Sequence, residues 1–387
     1  MKVLQVIPSL SFKRGGPARA VREMAGALSK EGLEVTIFAT DDGLENGQSG
    51  PLSQEKSGVE VRVFKRGWPH PYFYSPSLGR ALQNEIRNFD MVHIHGIWAY
   101  PTLAASRACQ KYQIPYLIRP CGMLDEYCLA HHAVRKRIYG ALFENENLRR
   151  ARLIHFTSDE EKRRSGTLGL KTPALVVPLG VNHEFFQVTG MRGKFREKHP
   201  LLKEKKIILF LGRINFKKGL DLLIDALKGL ARKNSGSHCV IAGPDEDGYG
   251  VQVKRWIEKK NLKDQVTLTG FIDGEDKLAL LRDSDIFCLP SRQENFGLAA
   301  VEAMAAALPV IVSDQVNLHQ EIKNAHAGMV VRCDAGDVRS ALETLLKDED
   351  LCRSMGERGR KLVQEKYTWR DAAKKLVRVY EDITHRH

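Results

Sequence analysis

Two glutamates share the segment Glu294-Asn295-Phe296-Gly297-Leu298-Ala299-Ala300-Val301-Glu302. An apolar run ends just before the first, at Cys288-Leu289-Pro290-Ser291. A small-residue helix from Leu298 to Leu308, stopped by Pro309, is expected to carry the second. Strand, polar loop and helix in that order place Glu294 at the carboxyl edge of a sheet, where open α/β sheets bind ligands. Upstream, Gly212-Arg213-Ile214-Asn215-Phe216-Lys217-Lys218-Gly219 follows a second apolar run, Ile207–Leu211. Arg213 and Lys218 flank a helix start near Gly219, and two cations with helix-start donors suit a diphosphate. Two acids and two cations, each at a strand's end, are what a site needs to grip a sugar diphosphate by its hydroxyls and its phosphates. Taken singly, each has a plainer reading: a solvated Arg/Lys pair, or an acid favoured by a helix dipole.

Other segments fit the same edge. Gly15-Gly16-Pro17 opens the first helix after the first strand, and glycine there lets backbone donors approach a phosphate. Gly243-Pro244-Asp245 and Thr269-Gly270-Phe271 each follow an apolar strand. His93-Ile94-His95-Gly96 puts two imidazoles on one strand face, a metal pair lacking a third ligand of suitable spacing. His93 reads as a core histidine, and His95, nearer the strand end, as an acceptor contact. Asp283-Ser284-Asp285 looks like a metal-binding DxD, but its setting between a helix and a buried strand argues for a capping role.

On these motifs the chain resembles the family 4 glycosyltransferases, retaining enzymes of the GT-B architecture, over nearly its whole length. The resemblance implies two doubly wound, Rossmann-like α/β domains facing across a cleft, and work without metal or cofactor. It assigns catalysis to Glu294, Arg213 and Lys218, the cations contacting the phosphates of a UDP- or GDP-sugar. Glu302 is expected to take the ribose hydroxyls. Asn295, Phe296, Gly297 and Leu298 are expected to line the donor sugar, Gly243, Gly270 and Phe271 the nucleotide, and Gly15 and Gly16 the phosphates. The chain departs from the family at Arg119-Pro120-Cys121-Gly122, where Cys121 aligns with a histidine near the reacting sugar. A thiol is a weaker hydrogen-bonding group than imidazole, so His95, Cys121, Asp125 and Arg119 become the acceptor-side candidates.

The elements that must position these residues follow from composition and periodicity. At 387 residues, 43% hydrophobic and 28% charged, the chain has the make-up of a soluble protein with more than one core. Apolar strands alternate with helices in both halves, which indicates parallel βαβ units. The expected domains are 1–188, on the acceptor side, and 189–366, for the nucleotide-sugar. Residues 367–387 form a last amphipathic helix that, by the resemblance, packs back on the first domain. The charged stretch Gly190–Lys206 is the expected linker. Seven cysteines without a repeated CxxC spacing argue against disulfides or a zinc module and for a reducing cytoplasm. No apolar run reaches membrane-span length, and Pro8 breaks the short N-terminal one, which reads as a strand and not a leader.

The net charge of +13 suits an anionic partner. Part of it lies in Arg135-Lys136-Arg137, Arg149-Arg150-Ala151-Arg152 and Lys162-Arg163-Arg164, interrupted by Glu144, Glu146, Glu160 and Glu161. This patch reads equally as a solvated helical face or as a contact with an anionic membrane on its cytoplasmic side. No nucleic-acid-binding signature accompanies it. The expected activity is glycosyl transfer to a hydroxyl of a saccharide or lipid-linked acceptor in polysaccharide or glycolipid synthesis. The alternatives are a GT-B sugar-nucleotide epimerase and a catalytically inactive sugar-nucleotide binder.

Overall fold

The computed structural model describes residues 1–11, 14–43, 50–52, 58–166, 169–187, 193–231, 236–245 and 248–385. It divides into two compact units: Met1–Gly180 together with Trp369–His387, and Val181–Thr368.

The sheet of the first unit contains β1 (Lys2–Ser9), β2 (Glu34–Thr40), β3 (Gly50–Leu52), β4 (Glu60–Phe64), β5 (Met91–His95), β6 (Tyr116–Arg119), β7 (Leu153–Phe156) and β8 (Ala174–Val176). Their order is β3-β4-β2-β1-β5-β6-β7-β8, parallel throughout except for the edge strand β3, which runs antiparallel to β4. Side chains alternate between the faces of a strand, and here the two faces differ in chemistry. Leu4, Val6, Val92, Ile94, Ile118 and Ile154 pack on one face against Leu78, Leu82, Ala105 and Ala108 of the helices Pro76–Glu85 and Tyr100–Tyr112. Gln5, His93, His95, Arg119 and His155 occupy the other face. The final helix, Trp369–His385, reaches that second face, with its Tyr380 hydroxyl 2.7 Å from His93 Nδ1. Its Trp369 indole donates to Glu23 Oε2 at 2.7 Å, on the helix Gly16–Lys30.

The second unit is built on β9 (Lys206–Leu211), β10 (Ser237–Ala242), β11 (Val266–Gly270), β12 (Ile286–Leu289), β13 (Val310–Ser313) and β14 (Gly328–Val331). The order is β11-β10-β9-β12-β13-β14, and every pairing is parallel. Ile207–Leu211, Ser237–Ala242, Ile286–Leu289 and Val310–Ser313 are buried without alternation, as strands covered by helices on both faces must be. The carboxyl ends of β9 to β13 therefore share one edge.

The expected linker is not one. Lys194–Lys198 is a short helix of the second unit, its Phe195 is buried, and its start is fixed by Asp283, which accepts from Phe195 N at 2.9 Å and Arg196 N at 3.0 Å. The chain passes between units at Gly180/Val181 and Thr368/Trp369 instead. Charge without apolar periodicity marked that segment as loose, but one buried aromatic and an acid ninety residues away hold it. Asp285 likewise accepts from Ile207 N at 2.7 Å, so both acids of the DxD-like triplet serve the backbone. No described helix is long and apolar enough to cross a membrane.

Candidate functional site

The loops that leave β9 and β12 are locked together, and a glycine permits it. Asn215 Oδ1 accepts from Lys217 N at 3.0 Å and starts a single 3-10 turn, Phe216–Lys218, which ends at Gly219 with φ 67°. A Cβ on Gly219 would lie 2.0 Å from the carbonyl oxygen of Pro290, so only glycine lets this turn rest on the end of β12. Arg292 N then donates to Lys217 O at 2.7 Å, and Lys217 Nζ reaches Gln293 Oε1 at 2.9 Å. The Arg292 guanidinium grips Asp221 through two bonds of 2.7 and 2.6 Å and lies 4.8 Å over the Phe216 ring. The product is an ion pair, Lys218 Nζ to Glu294 Oε2, both side chains mostly buried. Lys218 and Glu294, separated by 76 positions, are thus brought into contact.

Glu294 is held by its backbone: its N donates to Gln315 O at 3.1 Å, and its O accepts from Asn317 N at 3.0 Å. Gly297, at φ 81°, opens the helix Leu298–Ala305 where a Cβ would sit 3.0 Å from Val316 Cγ1. No side chain caps this helix and its first turn holds no acid, which leaves helix-start donors for a ligand oxygen. Phe296 points into the core, edge-on to Tyr367, so only its backbone can serve a ligand.

Glu302, 2% exposed, is paired with Lys277 Nζ at 2.7 Å. Lys277 is itself buried and stands 5.4 Å over the Phe185 ring. This lysine was missed in the sequence. The available signal was its position on the helix Gly274–Asp283, three and four residues before Leu280 and Leu281, hence on the core face. Two further loops complete the edge. Gly243 presses so closely on Gly212 O that a Cβ would lie 1.8 Å away, and Gly243 N donates to Gly270 O at 2.8 Å. Beside Gly270 the Phe271 ring is more than half exposed, and Arg213 is half-buried at the end of β9.

In the first unit, Gly15 (φ 84°) and Gly16 begin the helix Gly16–Lys30 with no side-chain cap and no acid in the first turn. His95, the last residue of β5, is fully buried. Cys121 adopts φ 57° and donates from Sγ to Arg119 O at 3.4 Å; burial pushes its thiol up, so it remains protonated. Asp125 caps the helix Glu126–Ala130 through Tyr127 N at 2.9 Å and faces Arg164 at 3.8 Å. Its carboxylate is therefore committed to a structural task. The acids expected to break up the basic patch divide. Glu146 and Glu160 pair with Arg149, Arg150, Arg163 and Arg164, whereas Glu144 and Glu161 are turned inside. Among the described residues, no three His, Cys, Asp or Glu side chains are grouped to hold a metal ion, and all seven cysteines are unbridged.

Comparison with known proteins addresses the chain as a whole. The family model described as glycosyl transferases group 1 matches residues 191–362, and the glycosyl transferase 4-like domain matches residues 15–180. A phosphatidyl-myo-inositol mannosyltransferase of Mycobacterium leprae is 31% identical over 99% of this chain and 97% of its own. Among solved structures, sucrose-phosphate synthase from Thermosynechococcus elongatus superposes with a TM-score of 0.81 at 20% identity, covering all of both chains. An Anabaena protein in complex with UDP and glucose does so with a TM-score of 0.81 at 16% identity, over 99% of this chain and 100% of that one. Both halves and the full length agree: the chain belongs to the group 1, family 4 glycosyltransferases and has their GT-B fold.

Proposed function

We propose that the enzyme takes a UDP- or GDP-sugar and passes the glycosyl unit, with retention of configuration, to an acceptor hydroxyl. The carrying observation is the Lys218–Glu294 pair on the fastened ends of β9 and β12. A departing nucleoside diphosphate gains negative charge as the glycosidic bond breaks, and Lys218 with Arg213 stabilises that charge most in the transition state. As Lys218 turns to the phosphates, the Glu294 carboxylate is released toward the sugar, whose anomeric carbon becomes positive. Backbone donors at Gly297 and Leu298 take sugar oxygens. Glu302, oriented by Lys277, offers lone pairs to two vicinal ribose hydroxyls, contacts that burial strengthens. Within the first unit, Gly15 and Gly16 open another uncapped helix start. The intact pair lends no support to an inactive binder, and product analysis separates transfer from epimerisation.

The acceptor side of the proposal is a lipid-linked or polysaccharide intermediate at a cytoplasmic membrane face. Its support is a ridge on the helix Ala133–Tyr139 and the turn after it, where Val134, Ile138 and Leu142 are 72%, 58% and 64% exposed. Arg135 and Arg137 flank the ridge and have no ion-pair partner among the described residues. Apolar side chains rimmed by unpaired cations are suited to an anionic bilayer.

Calorimetry with UDP and GDP tests the donor site. Lys218→Ala and Glu302→Gln should each lose about 1.5–3 kcal/mol of nucleotide affinity, the contribution of one charge-assisted bond. Unchanged affinity in both would remove the site. NMR of the product's anomeric proton decides retention.

A further inference from the structure

The polar face of the first sheet contains a charge that the transfer chemistry above does not use. Strand register sets Gln5 beside His93, and His95 beside Arg119. The β6–β7 register, with Ile118 opposite Ile154, brings His155 to the other flank of Arg119. All five side chains are at most 1% exposed. Two of the histidines are fully accounted for. His155 Nε2 donates to Val177 O at 2.7 Å, so its Nδ1 accepts from His93 Nε2 at 3.3 Å, and His93 Nδ1 accepts from the Tyr380 hydroxyl at 2.7 Å. That chain requires both rings to be neutral. Glu161 feels the charge of Arg119, yet its oxygens accept from Thr157 N, Thr157 Oγ1 and Gly122 N, and no ion pair joins the two.

What remains has no partner among the described residues. Nε, Nη1 and Nη2 of Arg119, both ring nitrogens of His95 and both amide ends of Gln5 are buried without a hydrogen bond. A buried guanidinium with three idle nitrogens is among the costliest arrangements a fold can hold. We propose that Arg119, His95 and Gln5 form an oxyanion site near the carboxyl ends of β5 and β6, taking a phosphate monoester. The guanidinium fork matches two oxygens of such a group. His95 and Gln5 add donors and also offer acceptors, which suits a phosphate with one protonated oxygen better than a carboxylate. Left-handed glycines, Gly96 at φ 86° and Gly122 at φ 76°, follow the two strands. The site stands on the buried cluster; only the source of its anion rests on the transfer reading, under which the acceptor carries it.

The test is thermal melting and calorimetry of the full chain with inorganic phosphate at constant ionic strength, chloride serving as the control. Phosphate should raise the melting temperature of wild type and of Lys218→Ala/Arg213→Ala, which removes both donor-site cations, but not of Lys218→Ala/Arg213→Ala/Arg119→Met. Without phosphate, Arg119→Met should melt no lower than wild type, because an apolar isostere relieves the unpaired charge. Arg119→Lys, which keeps the charge and loses the fork, should bind phosphate at least tenfold more weakly and serves if the Met variant does not fold. Stabilisation that persists in the triple variant, or that disappears in Lys218→Ala/Arg213→Ala alone, overturns the site, the second result leaving the donor reading intact. Glycerol 3-phosphate binding as tightly as inorganic phosphate supports an acceptor-borne group. A response to inorganic phosphate alone assigns the site to a free anion.

Discussion

At Gly219 a single hydrogen atom in place of a methyl group decides whether the loops leaving β9 and β12 meet. Its φ of 67° is left-handed, and the Cβ position is taken by Pro290 O. Alanine there incurs the left-handed penalty of roughly 1–2 kcal/mol and a clash that only separation of the two loops relieves. Gly32 supplies the control, since φ is 91° but nothing lies within 4 Å of its Cβ position. Gly219→Ala should therefore lower kcat/KM for the donor at least tenfold and depress Tm, while Gly32→Ala shows only the conformational penalty. Equal losses in both variants would mean that contact with Pro290 does not position Lys218. The residue scale also shows the reach of sequence reasoning. The strand-end placement of Glu294, Arg213 and Lys218 was legible because strand-end loops carry their own punctuation in glycine and proline. The pairing of Lys277 and the lack of a partner for Arg119 among the described residues were not, because they depend on neighbours tens of residues away that no local window contains.

Among elements, the alternating strands and helices were legible from periodicity, and most boundaries moved by only a few residues. The linker was not, because Phe195 and Asp283 supply the tertiary contact that overrides a charged, loop-like composition. The segment Ala133–Arg150 shows the same limit from the other side. It reads as a basic patch diluted by acids, yet Glu144 bonds Trp98 N at 3.2 Å inside the unit, and the apolar ridge stays outside. Beneath the ridge, Tyr139 stacks edge-on with Tyr72, Trp98 and Phe143, so the exposed row rests on a firm aromatic floor. Each unpaired cation near an anionic surface contributes about 1 kcal/mol, and the inserted apolar side chains add to it. Wild type should co-sediment with phosphatidylglycerol-containing vesicles, less so at high salt, and not with pure phosphatidylcholine. Val134→Ser/Ile138→Ser/Leu142→Ser should abolish sedimentation while UDP and GDP affinity stays the same. Undiminished sedimentation of the triple variant would reassign the ridge.

At the scale of the whole molecule, the two units differ in what their interiors do with protons. In the first, burial holds His155 down to about 3 and His93 and His95 well below the usual histidine range, with neighbouring imidazoles and Arg119 adding to the effect. In the unfolded chain these rings take protons near pH 6.5. The unfolded state then binds more protons, so the stability they confer is full above pH 6.5 and is lost progressively as pH falls. Burial raises Glu144 to about 7 and raises Glu161 in direction, and these acids act oppositely, adding stability as pH falls through the same range. Cys121 and Tyr380, the other groups facing the row, stay protonated throughout. The rings outnumber the acids, so the first unit is expected to lose stability as pH falls below 6.5. In the second unit, burial lowers His238, which is bonded to Thr267 at 2.9 Å. Hydrogen exchange read by mass spectrometry follows each unit through its own peptides. Between pH 6.5 and 5, with exchange rates corrected for pH, protection should fall first in β5, β6 and β7 and hold in β9, β10 and β12. Simultaneous loss in both sheets, or earlier loss in the second, would show that the histidine row does not govern the acid response.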